Sequence, residues 1–120
     1  TFVEAWRDVV PEEARFLGGE SVGSLLDRVV PAVDQLIADT DWDILLAVLH
    51  GGVNRAILSY ALTGGRAFLG NFEQSPGCIN VLDVGDDWVV RAVNTSPSDV
   101  AHRVNRLRTM EELWSEFKPA

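Results

Sequence analysis

The run from Ile44 to Leu49, "ILLAVL", is apolar at every position and meets His50, Gly51 and Gly52 without a spacer. An amphipathic helix or a half-exposed strand returns a polar residue to solvent at regular intervals, and this run returns none. A segment with no solvated face suits a strand covered on both sides, as in a parallel sheet layered by helices. Behind the glycines, roughly Val53 to Leu62 reads as a helix, and "TGGR" then breaks the pattern. The chain is thus expected to place a histidine at the carboxyl end of a buried strand, where a helix begins.

The flanking segments fit an α/β protein. Val22, Leu25, Leu26, Val29, Val30, Val33, Leu36 and Ile37 recur at helical spacing. They predict a strong amphipathic helix, bent near Pro31 because proline lacks the amide donor and crowds the preceding turn. Ser21 stands where its hydroxyl can accept from an unpaired first-turn amide, as an N-cap. Phe2, Trp6 and Val9 predict a short helix within Thr1 to Leu17, ended near Pro11. "CINVLDV" and "WVVRAVN", separated by "GDD", read as a late β-hairpin between Cys78 and Asn94. The tail from Ser98 reads as helical in two pieces, the last with an apolar edge of Leu113, Trp114 and Phe117. No internal repeat or low-complexity linker interrupts the chain.

Composition narrows the partners. At 120 residues the chain is at most one small domain, and it begins at Thr1, which makes truncation or processing an open reading. A net charge of -8 argues against nucleic acid, because counterion release needs clustered Lys and Arg. No apolar run reaches the roughly 20 residues of a membrane span, and no targeting segment is evident. The lone Cys78 cannot close an intramolecular disulfide, so a reducing, cytoplasmic setting is expected. His50 has only His102 as a second imidazole, which is no basis for a metal site.

Two motifs compete for the chemistry. "GESVG", from Gly19 to Gly23, fits the serine-hydrolase elbow G-x-S-x-G. An elbow needs a buried strand immediately before it, and here "PEEARFLG" precedes it, charged and proline-bearing. Ser21 is therefore read first as a helix cap, with a serine esterase as a third option. His50 has the better context. A helix N-terminus offers unpaired N–H groups and partial positive charge, which suit a phosphate. Gly51 and Gly52 let the backbone approach such a ligand, and an imidazole beside them can donate to a phosphoryl oxygen or move a proton. The competing reading has His50 ending the strand by hydrogen-bonding a neighbouring carbonyl. No Lys-Ser/Thr pair follows the glycines, so this is not a nucleotide P-loop.

Taken together, "GGES" at Gly18 to Ser21 with "DRVV" after it, "ILLAVLHGGVNRAIL" from Ile44 to Leu58, and "CINVLDVGDDWVVRAVN" from Cys78 to Asn94 resemble the second half of the histidine phosphatase superfamily, the phosphoglycerate-mutase-like enzymes. The resemblance covers about Gly18 to Asn94 and keeps the family's order of parts. It implies part of a three-layer α/β/α fold with a mostly parallel sheet and a late hairpin. It also implies phosphoryl transfer through a phosphohistidine, with no cofactor and no metal. His50 matches the family's second histidine, which hydrogen-bonds the phosphoryl group, and the Gly51 backbone would help hold the same oxygens. The family's nucleophile lies in an R-H-G motif, and no R-H-G occurs in this sequence. His102, in "AHRVNR", matches no nucleophile motif, and none of Glu4, Glu12 and Glu13 has the surroundings of the family's proton donor.

The sequence is accordingly read as the C-terminal portion, residues 1–120, of a single histidine-phosphatase-like domain. The expected function is hydrolysis of a small phosphomonoester, with mutase activity second and a non-catalytic module of the same fold as the alternative. The isolated chain would be inactive without the N-terminal half, which is its expected partner; homo-oligomerisation is a further option. His50 is the candidate catalytic residue, Gly51 and Gly52 the candidate phosphate cradle, and Arg55 and Glu20 candidate substrate contacts. For Arg55 a carboxylate pairing is equally open, and for Glu20 a hydrogen-bonding role in the loop is preferred. Arg28 is expected in a structural ion pair, Trp42, Trp88 and Trp114 as core or interface aromatics, and Cys78 as an inert, partly buried thiol.

Overall fold

The computed structural model describes residues 8–39 and 41–96. The expected tail helices, with Trp114 and His102, and the Phe2 and Trp6 part of the N-terminal helix lie outside these residues. Two helices, α1 (Val22–Ala38) and α2 (Gly51–Thr63), are followed by two strands, β1 (Ile79–Val84) and β2 (Trp88–Thr95). Mixed α/β architecture and the late antiparallel hairpin are therefore present.

Helix α1 forms as its periodicity predicts. Val22, Leu25, Leu26, Val29 and Val33 turn one stripe inward, and with Val10, Ala56 and Phe68 they make the core. Pro31 sits inside the helix. It denies the Asp27 carbonyl its usual donor, but both residues are exposed, so water can reach that oxygen. At the other end, Asp39 N–H donates to the Gln35 carbonyl and the Trp42 indole to that of Leu36 at 3.1 Å. Trp42 thus serves the helix terminus, a duty its sequence context did not announce.

Helix α2 begins a half-turn earlier than expected, at Gly51, and stops where Gly64 adopts φ +70, a left-handed conformation that glycine takes without a Cβ penalty. Ser59, fully buried, ties this helix to the next segment. Its hydroxyl donates to the Arg55 carbonyl at 2.6 Å and accepts from Leu69 N–H at 2.8 Å. Tyr60 joins three elements: its hydroxyl donates to Asp34 of α1 at 2.6 Å, and its ring meets Trp88 of β2 edge-on, centroids 5.5 Å apart.

One expectation differs from the structure, and another falls mostly outside the described residues. Of the expected N-terminal helix only residues 8–11 are described, and they are not helical. Val10 N–H instead donates to Phe68 O and Gly70 N–H to Asp8 O, each at 2.8 Å, so this stretch pairs as extended chain with residues 68–70. Ile44–Leu49 forms no strand among the described residues, because a ladder needs a partner and β1 and β2 pair only with each other. Its side chains are open to solvent, Ile44 at 92 %, Leu46 at 88 % and Val48 at 90 %, with Leu45 and Leu49 about half as exposed. That period-two alternation is the signature of extended chain. No helix among the described residues is long and apolar enough to cross a membrane.

Candidate active site

His50 is the N-cap of α2, with extended backbone at φ -82 and ψ 159. Its imidazole is exposed and makes no capping hydrogen bond to the helix that follows. The helical ladder starts with Asn54 N–H donating to the His50 carbonyl at 2.9 Å. The N–H groups of Gly51, Gly52 and Val53 precede that ladder, as the first amides of any helix do. Among the described residues none of these amides has a partner. They carry the partial positive charge of the helix start.

The surroundings of the two glycines differ. A Cβ at Gly51 would come within 3.1 Å of Arg55 Nη1 and 3.9 Å of Gln74 Cβ. Arg55, one turn along and only 7 % exposed, is therefore folded back toward the helix start. Its Nε donates to the Phe72 carbonyl at 2.9 Å. A buried guanidinium beside a helix N-terminus adds like charge to like charge, which raises the potential for an anion there. A Cβ at Gly52 would meet only the edge of the Phe16 ring, at 3.8 and 3.9 Å. Gly51 thus leaves room for the chain's own arginine, a reason for the glycine that spacing alone did not supply.

Phe16 also links this site to the "GES" loop. Its amide donates to the Glu20 carbonyl at 3.0 Å and its ring packs edge-on against Phe68, 6.0 Å between centroids. Glu20 itself is engaged within the loop and first turns of α1. Arg28 Nη2 and Nε donate to its two oxygens at 2.8 and 3.2 Å, and Ser24 Oγ donates at 3.2 Å. The hydrogen bond from Arg28 holds the Glu20 carboxyl below the usual carboxylate range. Arg28 thus makes the ion pair expected of it. Ser21 is the N-cap, its hydroxyl oxygen accepting from Ser24 N–H at 3.1 Å.

Sequence reasoning missed the residues that reach across irregular backbone. Arg66 brackets Glu12 and Asp27 at 2.7 Å each and donates to the Gly23 carbonyl at 3.0 Å, tying the loop after α2 to the start of α1. Gln74 and Ser75 are buried beside the site and were not singled out. Cys78 is half-buried and donates to Gln74 Oε1 at 3.2 Å. Burial pushes its thiol up, against an opposing pull from the Arg55 charge.

What these groups define is an α/β protein with an open, positively polarised helix start, flanked by an exposed imidazole and a buried guanidinium. Residues 2–96 match the histidine phosphatase superfamily (branch 1), and the chain belongs to that superfamily. Membership supports phosphoryl transfer as the general chemistry. No curated protein and no solved structure matches the chain.

Proposed function

We propose that this chain carries the second-histidine side of a phosphohistidine site and hydrolyses a small phosphomonoester when joined to an R-H-G segment. The observation that carries the reading is the open start of α2, with unpartnered amides at Gly51, Gly52 and Val53 beside His50 and Arg55. In this reading His50 donates to an oxygen of the phosphoryl group, and the amides of Gly51 and Gly52 hold its other oxygens. Arg55 adds fixed charge as the group moves between the leaving oxygen and the nucleophilic imidazole. Preorganised donors aimed at developing charge are the main resource for phosphoryl transfer, because little covalent work falls to the protein. Hydrolysis is favoured over mutase chemistry because the segment lacks long insertions that would close over a bisphosphorylated substrate.

The same reading assigns residues 1–120 to the C-terminal portion of one domain. Ile44–Leu49 becomes an inner strand of a mostly parallel sheet in a three-layer α/β/α fold, and its parallel neighbours come from the R-H-G portion. Burying each of its large side chains would contribute about 1.5–3 kcal/mol, which accounts for an apolar run now open to solvent. The alternative reading is a non-catalytic module that keeps the same fold and lacks the nucleophile; an R-H-G upstream of Thr1 would support the enzyme, and its absence there the module.

Titration of the chain with inorganic phosphate, followed by amide NMR, tests the site. Shifts should concentrate at Gly51, Gly52 and Val53. No response at about 10 mM phosphate, or a response spread over the surface, rules the site out. Adding an R-H-G segment of the superfamily and assaying an aryl phosphate separates the two readings. Turnover with an acid-labile phosphoprotein intermediate supports the enzyme, whereas phosphate binding without turnover supports the module.

A further inference from the structure

Across from the first turn of α2 runs a strap of irregular backbone, residues 72–75. Its Phe72 carbonyl accepts from Arg55 Nε, and its Gln74 lies beside Gly51. Irregular backbone is a poor fixed point unless something holds it, and here the hairpin does. Gln74, 3 % exposed, pairs its carboxamide head to head with that of Asn80 on β1. Gln74 Nε2 donates to Asn80 Oδ1 at 2.8 Å, and Asn80 Nδ2 donates to Gln74 Oε1 at 2.7 Å. Asn80 Oδ1 also accepts from Asn94 N–H at 3.0 Å, while Asn94 Oδ1 accepts from Ser75 N–H at 2.8 Å.

The hairpin departs from regularity to make this possible. Its register shifts on either side of Val81, next to Asn80. Asn94 sits at φ +57, a left-handed conformation that asparagine tolerates better than most residues. A ladder kept only for strength would pair its own amides there and point apolar side chains inward. A buried carboxamide and two half-buried ones, joined on both sides, instead specify one geometry.

Resting on the phosphate-site reading above, we propose that Gln74, Asn80 and Asn94 are positioning residues of that site. They hold the 72–75 strap so that the Phe72 carbonyl fixes the Arg55 guanidinium against Gly51. None of the three touches the anion; they act through Arg55.

The test uses the full chain with inorganic phosphate as the probe and two NMR readouts, the Arg55 Nε–H resonance and the amides of Gly51 and Gly52. Asn80→Ala should expose the Arg55 Nε–H to solvent exchange and weaken phosphate binding at least about tenfold, as misplacement of a supporting group does. Asn80→Asp keeps the oxygen that accepts from Gln74 and from Asn94 N–H, and should fall between the two. Asn94→Gly is the variant to use if Asn80→Ala unfolds, since glycine keeps the positive φ and removes only the amide. Asp83→Ala, on the same strand but paired outward with Arg91, should change neither readout. Variants that keep a protected Nε–H and wild-type phosphate binding overturn the positioning role. A wild-type chain that shows no phosphate response overturns the site reading itself, and the two failures are distinguishable.

Discussion

The two helices of this chain start in opposite ways. At α1 each early amide is occupied: Val22 N–H by the Ala14 carbonyl, Gly23 N–H by that of Glu12, and Ser24 N–H by the Ser21 hydroxyl. At α2 the corresponding amides of Gly51, Gly52 and Val53 have no partner among the described residues, and the N-cap histidine bends no side chain back to fill them. Both helices carry the same partial charge at this end. Only one leaves it available. A sequence motif resembling a catalytic turn lies at the closed start, and the available electrostatics lie at the other.

Substitutions can break or sharpen this contrast. His50→Ala should produce the largest effect, a fall of about two to three orders of magnitude in turnover of an aryl phosphate by the assembled enzyme. Melting should be unchanged, because the imidazole is exposed; near-normal turnover would move the site away from α2. Gly51→Ala comes next. Its methyl meets Arg55 Nη1 at 3.1 Å and must displace it, whereas Gly52→Ala meets the Phe16 ring at ordinary contact distance. Phosphate binding should fall about tenfold or more for the first and distinctly less for the second, as read by titration calorimetry.

At the closed helix the expected effects are on stability alone. Ser21→Ala should cost about 1 kcal/mol in urea unfolding and leave phosphate binding intact. A drop in turnover without loss of stability would revive the serine as a chemical group. The smallest effect concerns acid. The Arg28 hydrogen bond holds Glu20 below the usual carboxylate range, and unfolding returns it to its ordinary value. Its stabilising contribution is therefore complete above that ordinary value and is lost as pH falls through the lower, folded one. Glu20→Gln should flatten the acid limb of a stability-versus-pH curve slightly, since the pair is solvent-exposed and screened.

Much of α1, the hairpin and the Ser21 cap was legible, because each depends on residues close in sequence. The stripe from Val22 to Val33 and the "GDD" turn announce themselves within a few residues, whereas for the ion pair of Arg28 the sequence names no partner and the structure supplies Glu20. The sequence pattern starts α2 near Val53 because glycine is a weak helix former, whereas the helix takes in Gly51 and Gly52 as its first residues. Of the short helix that Phe2, Trp6 and Val9 predict, only the end from Asp8 falls among the described residues, and there pairing with residues 68–70 holds the chain extended. The Arg55–Phe72 bond and the Gln74–Asn80–Asn94 relay were illegible for a different reason. They join irregular backbone to strands and helix through polar side chains, and no periodicity marks such contacts. The candidate site was thus half visible: the histidine and glycines from local pattern, their support only in three dimensions.

The extended run Ile44–Leu49 ends at the residue whose backbone caps α2, so the aim of the imidazole and the docking of the run share one stretch of chain. In the proposed reading, a neighbour that covered those apolar side chains would also fix the direction from which His50 arrives. The order of events would follow from the chain itself, covering of the run first and a fixed imidazole after it.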